Sequence, residues 1–187
     1  MGASEFVRSL RGAWLLARGD AAGMGLLDLT VEGFWNSFAA ALVAAPAYVL
    51  LLTDRYARTG LPPGAGLAGT AFAESLAYLV DVATLPLLAI PLTRFLGLGT
   101  RYVPLVVASN WATVPQVALF VAAVVLGLVL PPMRDGFLLA AVAGTFTYQW
   151  FVVRTALGTT GATALAFILI NLLVGAMLNR ALDALAA

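Results

Sequence analysis

The chain holds 187 residues, of which 62% are apolar and 10% charged, and its mean hydropathy is +0.98. A water-soluble domain has roughly half its residues apolar and about a quarter charged, so this chain lacks the polar side chains needed to cover a globule in water. That excludes an ordinary cytosolic enzyme, a disordered tail and a disulfide scaffold, and it points to a lipid bilayer as the solvent.

Cys, His and Lys do not occur. Zinc, haem and iron–sulfur groups therefore lack their usual ligands. A Cys nucleophile and a His base are excluded as well, so no enzyme activity, no cofactor and no metal site are expected. Ten arginines offset nine acids for a net charge of +1, which provides no footprint for nucleic acid. An Ala- and Arg-rich, Lys-free composition fits a GC-rich bacterial genome.

Residues 1–29 predict an amphipathic segment on the membrane surface. The longest apolar run there, 13–17, is too short for a secretory signal of about 7–15 apolar residues. Phe6, Leu10, Ala13, Trp14 and Ala17 recur at helical spacing, and Arg8, Arg11 and Arg18 fall largely on the other side. A basic helix with Trp on its apolar side suits an anionic membrane surface, through Arg8, Arg11, Trp14 and Arg18. The alternative is a helix folded onto the protein's own loops. Gly12 weakens this helix and Gly19 ends it.

Residues 30–187 predict an all-α bundle of five transmembrane helices. A span needs roughly 20 mostly apolar residues. Charge-free runs cover 33–53, 102–133, 136–153 and 155–179, and a fifth apolar region, about 69–93, is interrupted by Glu74 and Asp81. The spans are placed at about 31–53, 69–93, 104–130, 136–153 and 156–179. Thr30 is the expected N-cap of the first, with Glu32 in its first turn and a Leu29–Phe34 staple. Pro86 and Pro91 are candidate breaks in the second span and Pro115 in the third. Pro131-Pro132 stops the third, which makes spans three and four a tight antiparallel hairpin. The connection 54–68 is the longest loop. Gly158, Ala162 and Ala166 lie four apart near the fifth span, a spacing that permits close helix approach within the chain or with another copy.

Arginine counts set the orientation. With the N-terminus inside, Arg8, Arg11, Arg18, Arg94, Arg101 and Arg154 share that side, against Arg55, Arg58, Arg134 and Arg180. This bias favours a cytoplasmic N-terminus. A helical bundle suits the inner membrane of a bacterium, since barrels prevail in the outer one.

The residues least at home in lipid are Glu74 and Asp81. Seven positions apart on a helix, they share one face about 10 Å apart. Each ionised acid at mid-membrane costs roughly 2.5–3.5 kcal/mol, so both should face the bundle interior, be protonated, or both; if the span begins near Leu76, Glu74 sits only at headgroup level and Asp81 alone bears that cost. With Asn110, Thr113, Gln116 and Gln149 they form the expected intramembrane polar cluster. Asn36, Tyr148 and Asn171 are further partners, and a structural role competes with proton or cation handling.

Gly97-Leu98-Gly99-Thr100-Arg101-Tyr102, leading into Ser109-Asn110-Trp111-Ala112-Thr113-Val114-Pro115, together with the segment 11–24, resembles the Yip1 domain family of small membrane proteins. The resemblance implies five spans, a cytoplasmic N-terminus and a non-enzymatic scaffold or accessory role. Such a protein acts through helix contacts with a membrane-protein partner or further copies of itself in the bilayer. The alternative from the residues is a small proton- or cation-coupled transporter or channel subunit using Glu74 and Asp81. An intramembrane lipid enzyme would need a headgroup-level cluster such as Asp54, Arg55 and Arg58.

Overall fold

The computed structural model describes residues 2–62, 64 and 66–186, with side chains described as far as residue 181. Its helices are α1 (Ala3–Ala17), α2 (Val31–Ser37), α3 (Ala39–Thr59), α4 (Leu67–Phe95), α5 (Tyr102–Val129), α6 (Arg134–Leu157) and α7 (Gly161–Ala186), and no strand occurs among the described residues. Five stretches are long and apolar enough to cross a membrane: Val31–Thr59, Leu67–Phe95, Gly99–Val129, Pro131–Leu157 and Gly161–Ala181. Their apolar side chains point outward. Leu42 is 78% exposed, Leu139 70% and Met177 70%, a surface that only hydrocarbon solvates without cost. The chain has the outer face of a membrane protein.

Most spans overrun the expected boundaries. At 1.5 Å per residue, a helix of 29 residues such as α4 reaches about 43 Å, beyond a hydrocarbon core of about 30 Å. The ends therefore stand in the headgroups, where charge is cheap. Asp54, Arg55 and Arg58 remain helical in α3, so the connection runs over 60–66 rather than 54–68. Arg154 likewise remains in α6.

The prolines do not break their helices. Pro46, Pro86, Pro91 and Pro115 all lie inside continuous helices. The interruption falls at Phe38, between α2 and α3, where the Ser37 hydroxyl donates to the Phe34 carbonyl at 2.7 Å. Thr30 caps α2 as expected, its Oγ1 accepting from the Gly33 amide at 3.1 Å.

Helix α5 is the hub, touching α1, α2, α3, α4 and α6. Leu105, Val106, Val107, Ala108 and Ala112 are fully buried, and Trp111 nearly so. The α5–α6 hairpin closes through a 3-10 turn at Pro131–Met133. Gly127 sits beneath Arg134, so closely that a Cβ on it would lie 2.7 Å from Arg134 Cγ.

The first helix corrects the expected face. Ser9, Gly12, Ala13 and Leu16 are buried, and Phe6 and Leu10 pack against the core. Trp14 and Ala17, expected beside them, are exposed, Trp14 by 58%. Small residues decide the matter. A Cβ on Gly12 would lie 2.8 Å from the Gly23 carbonyl, and one on Gly23 2.4 Å from the Gly12 carbonyl. The helix thus turns its glycine side, not its tryptophan, to the 3-10 turn at Ala21–Leu26. Phe6 meets Trp111 edge to face at 5.7 Å, and Asn36 Nδ2 donates to Glu5 Oε1 at 3.1 Å. Gly19 ends the helix with φ +77°; its amide bonds Leu16 O and the next amide bonds Leu15 O, the paired closure that a left-handed residue permits. Arg8, Arg11 and Arg18 are all exposed.

Candidate intramembrane binding cavity

Asp81 stands at the midpoint of the 29-residue helix α4, and Asn171 at the midpoint of the span Gly161–Ala181. Thr113 and Gln116 of α5 and Thr145 of α6 lie within three residues of the middle of their helices. Helix packing brings these positions to one half-open cavity of about 380 Å³ among the spans. Phe38, Phe146 and Phe167 supply aromatic wall, and Leu85, Val142 and Ile168 supply aliphatic wall.

A ladder of amides crosses one side. Gln116 Nε2 donates to Gln149 Oε1 at 2.8 Å, and Gln149 Nε2 donates to Ser109 Oγ at 3.2 Å. Asn110 Nδ2 donates to Ser37 Oγ at 2.9 Å, tying the cavity to the α2–α3 break. The hydroxyls of Thr113 and Thr145 turn back to carbonyls of their own helices, at 3.3 Å and 2.9 Å. In lipid every polar group needs such a partner, and here helices five and six satisfy each other.

The opposite side is less complete. Asp81 is exposed at the cavity opening, and its Oδ1 accepts from Asn179 Nδ2 at 3.1 Å. The carbonyl oxygens of Asn171, in the lining, and of Asn179, outside it, are buried with no hydrogen-bond partner. No Arg side chain lines the cavity among the described residues.

Of the expected polar cluster, the cavity gathers Asp81, Asn110, Thr113, Gln116 and Gln149, and it leaves Glu74 out. Glu74 lies two turns away along α4. It accepts from Tyr48 at 3.3 Å, pairs with Arg55 at 3.4 Å and accepts from Tyr56. The two acids share a helix face, but α3 meets one and α7 meets the other. Asn36 and Tyr148 also bond elsewhere, to Glu5 and Ala13. Phe38, Ser109, Thr145 and Asn179 were not among the expected site residues. Asn179 had a signal: it follows Asn171 by two helical turns in an otherwise apolar run.

At the headgroup level, Asp54 is paired with Arg58 at 3.1 Å and with Arg134. A carboxylate neutralised on two sides leaves that cluster no free base. Gly158 is not part of the small-residue stripe. It lies outside α7, with φ +61°, and caps α6. Ala162 and Ala166 do lie on α7, both exposed.

No family model, curated protein or solved structure matches the chain.

Proposed function

We propose that this chain is an integral membrane protein that binds a small solute inside its five-span bundle and passes it across the bilayer. Asp81 is the charge at the binding cavity, and the amides of α5, α6 and α7 are its polar lining. The observation that carries this reading is the cavity itself. Polar residues from four spans converge on it, where each is costly unless it has a use or a partner, and one amide oxygen of the lining, Asn171 Oδ1, has none. Glu74 plays no direct part and holds the ends of α3 and α4 together.

The membrane is the inner membrane of a bacterium, with the N-terminus cytoplasmic; the Lys-free composition and the arginine bias support this placement. The exposed face of α1, with Trp14 between Arg11 and Arg18, rests on anionic headgroups.

Reconstituted liposomes test the reading. Solute-dependent or proton-dependent flux should exceed that of empty vesicles, and Asp81→Asn should abolish it. Flux indistinguishable from empty vesicles across protons, sodium, potassium and small organic solutes would overturn it.

A scaffold role of the Yip1 type has one observation in its favour: Ala162 and Ala166 leave part of α7 open to close approach by another helix. A stoichiometric companion retained in mild detergent, and lost on Ala162→Leu, would support that role instead.

A further inference from the structure

We infer that the solute is an amine carried as its ammonium cation on a small apolar body. This rests on the cavity being a solute site, and it follows from the charge of Asp81 in the lining and from the apolar walls around it.

Part of the polar lining is already bonded within the protein. The side-chain amides of Asn110, Gln116 and Gln149 each donate within the protein, as do the hydroxyls of Thr113 and Thr145. Acceptors remain. Asp81 is the charged residue of the lining, its Oδ1 taking the Asn179 amide, and Asn171, which also lines the cavity, has a carbonyl oxygen without a donor. A carbonyl oxygen in hydrocarbon without a donor is a standing cost, which a donor-bearing guest removes. An ammonium group brings N–H donors and one positive charge, and the carboxylate supplies the matching negative charge. The chain contains no Lys or His to occupy that role itself, and no Arg lines the cavity among the described residues.

The walls select the rest of the guest. Phe38, Phe146 and Phe167 with aliphatic neighbours surround a space of about 380 Å³, more than a bare ion fills and mostly apolar. Aromatic faces also attract cations. An alkali ion, which binds through a shell of oxygens, would leave these walls without contact.

The test uses the full chain in phosphatidylcholine nanodiscs, with binding measured by calorimetry against empty discs. Benzylammonium is the probe, benzyl alcohol its neutral counterpart, and sodium chloride the bare-ion control. Saturable benzylammonium binding should be at least about tenfold tighter than that of benzyl alcohol, with no heat from sodium. Asp81→Asn should erase the preference while retaining benzyl alcohol binding, which also certifies the fold. Should Asp81→Asn not fold, Asn171→Leu should lower the same preference severalfold. Equal or weaker binding of benzylammonium in the native chain, or an unchanged preference in the variant that folds, overturns the ammonium assignment and leaves the solute cavity standing. Absence of saturable binding by either organic probe overturns both.

Discussion

The hydroxyl of Tyr148 donates to the carbonyl of Ala13 at 2.7 Å, joining residues 135 positions apart in the chain. It fastens α1 to α6, while Phe6 and Trp111 fasten it to α5. Tyr148→Phe removes that bond and keeps the ring. Docking of α1 should weaken by about 1 kcal/mol. Trypsin cleavage at the exposed Arg8 and Arg11 should rise about fivefold, with the melting of the bundle nearly unchanged. Unaltered cleavage would contradict this role for the hydroxyl.

The glycine crossing is a stricter fastening. Gly23→Ala places a methyl 2.4 Å from the Gly12 carbonyl, where backbone must move. Overpacking of this kind costs about 1–3 kcal/mol. Trp14 fluorescence should report the displacement of α1, and Gly25→Ala, where the same methyl meets open space, should leave the signal as it is.

Gln116 and Gln149 depend on each other. Replacing either by Leu strands part of the other's amide in hydrocarbon, at about 1–2 kcal/mol. Replacing both should cost clearly less than the two losses added, because the stranded partner is gone. Unfolding in mixed micelles measures all four corners of this cycle, and strictly additive losses would count against the bond.

Acid should loosen the entry to the first span. The Thr30 side chain and then its backbone amide, the latter at 3.0 Å, hold the Asp28 carboxyl below its ordinary value of 3.8, and Arg8 adds to this. A folded value lower than the unfolded one gives stability that is present above pH 3.8 and lost as the pH falls through the lowered value. Amide exchange at Thr30 and Gly33, corrected for intrinsic rate, should therefore rise below about pH 4. Asp28→Asn should flatten that dependence. Thr30→Ala should cost about 1 kcal/mol near neutral pH and less in acid, because it removes both the cap and the hydroxyl that holds the Asp28 carboxylate.

The spans were readable because charge is so scarce that each run declares itself. Their ends were not, since a helix longer than the hydrocarbon carries its terminal charges into the headgroups without unwinding, as α3 does through Arg58. Proline read as a break at 86, 91 and 115 fails as one here, because a membrane helix has no water to compete for its remaining bonds. The face of α1 was misjudged for a related reason: tryptophan advertises burial, yet Gly12 and Ser9 are what allow close approach. The polar cluster was legible as residues out of place. That Asp81 joins it and Glu74 leaves it depends on which neighbour α4 meets at each level, and seven-residue spacing alone carries no such information.

Beyond the 3-10 turn at Ala21–Leu26, the seat of α1 is built from α5 and α6, which a ribosome delivers long after α1 itself. At about 5–20 residues per second, the 135 residues between Ala13 and Tyr148 amount to a delay of about 7–27 s. Throughout that interval the part of the first helix that meets α5 and α6, Phe6 and Ala13 included, is uncovered and must be sheltered by lipid headgroups or a chaperone. Its docking is therefore among the last events of biogenesis, and a reporter on α1 would read out completed assembly rather than insertion.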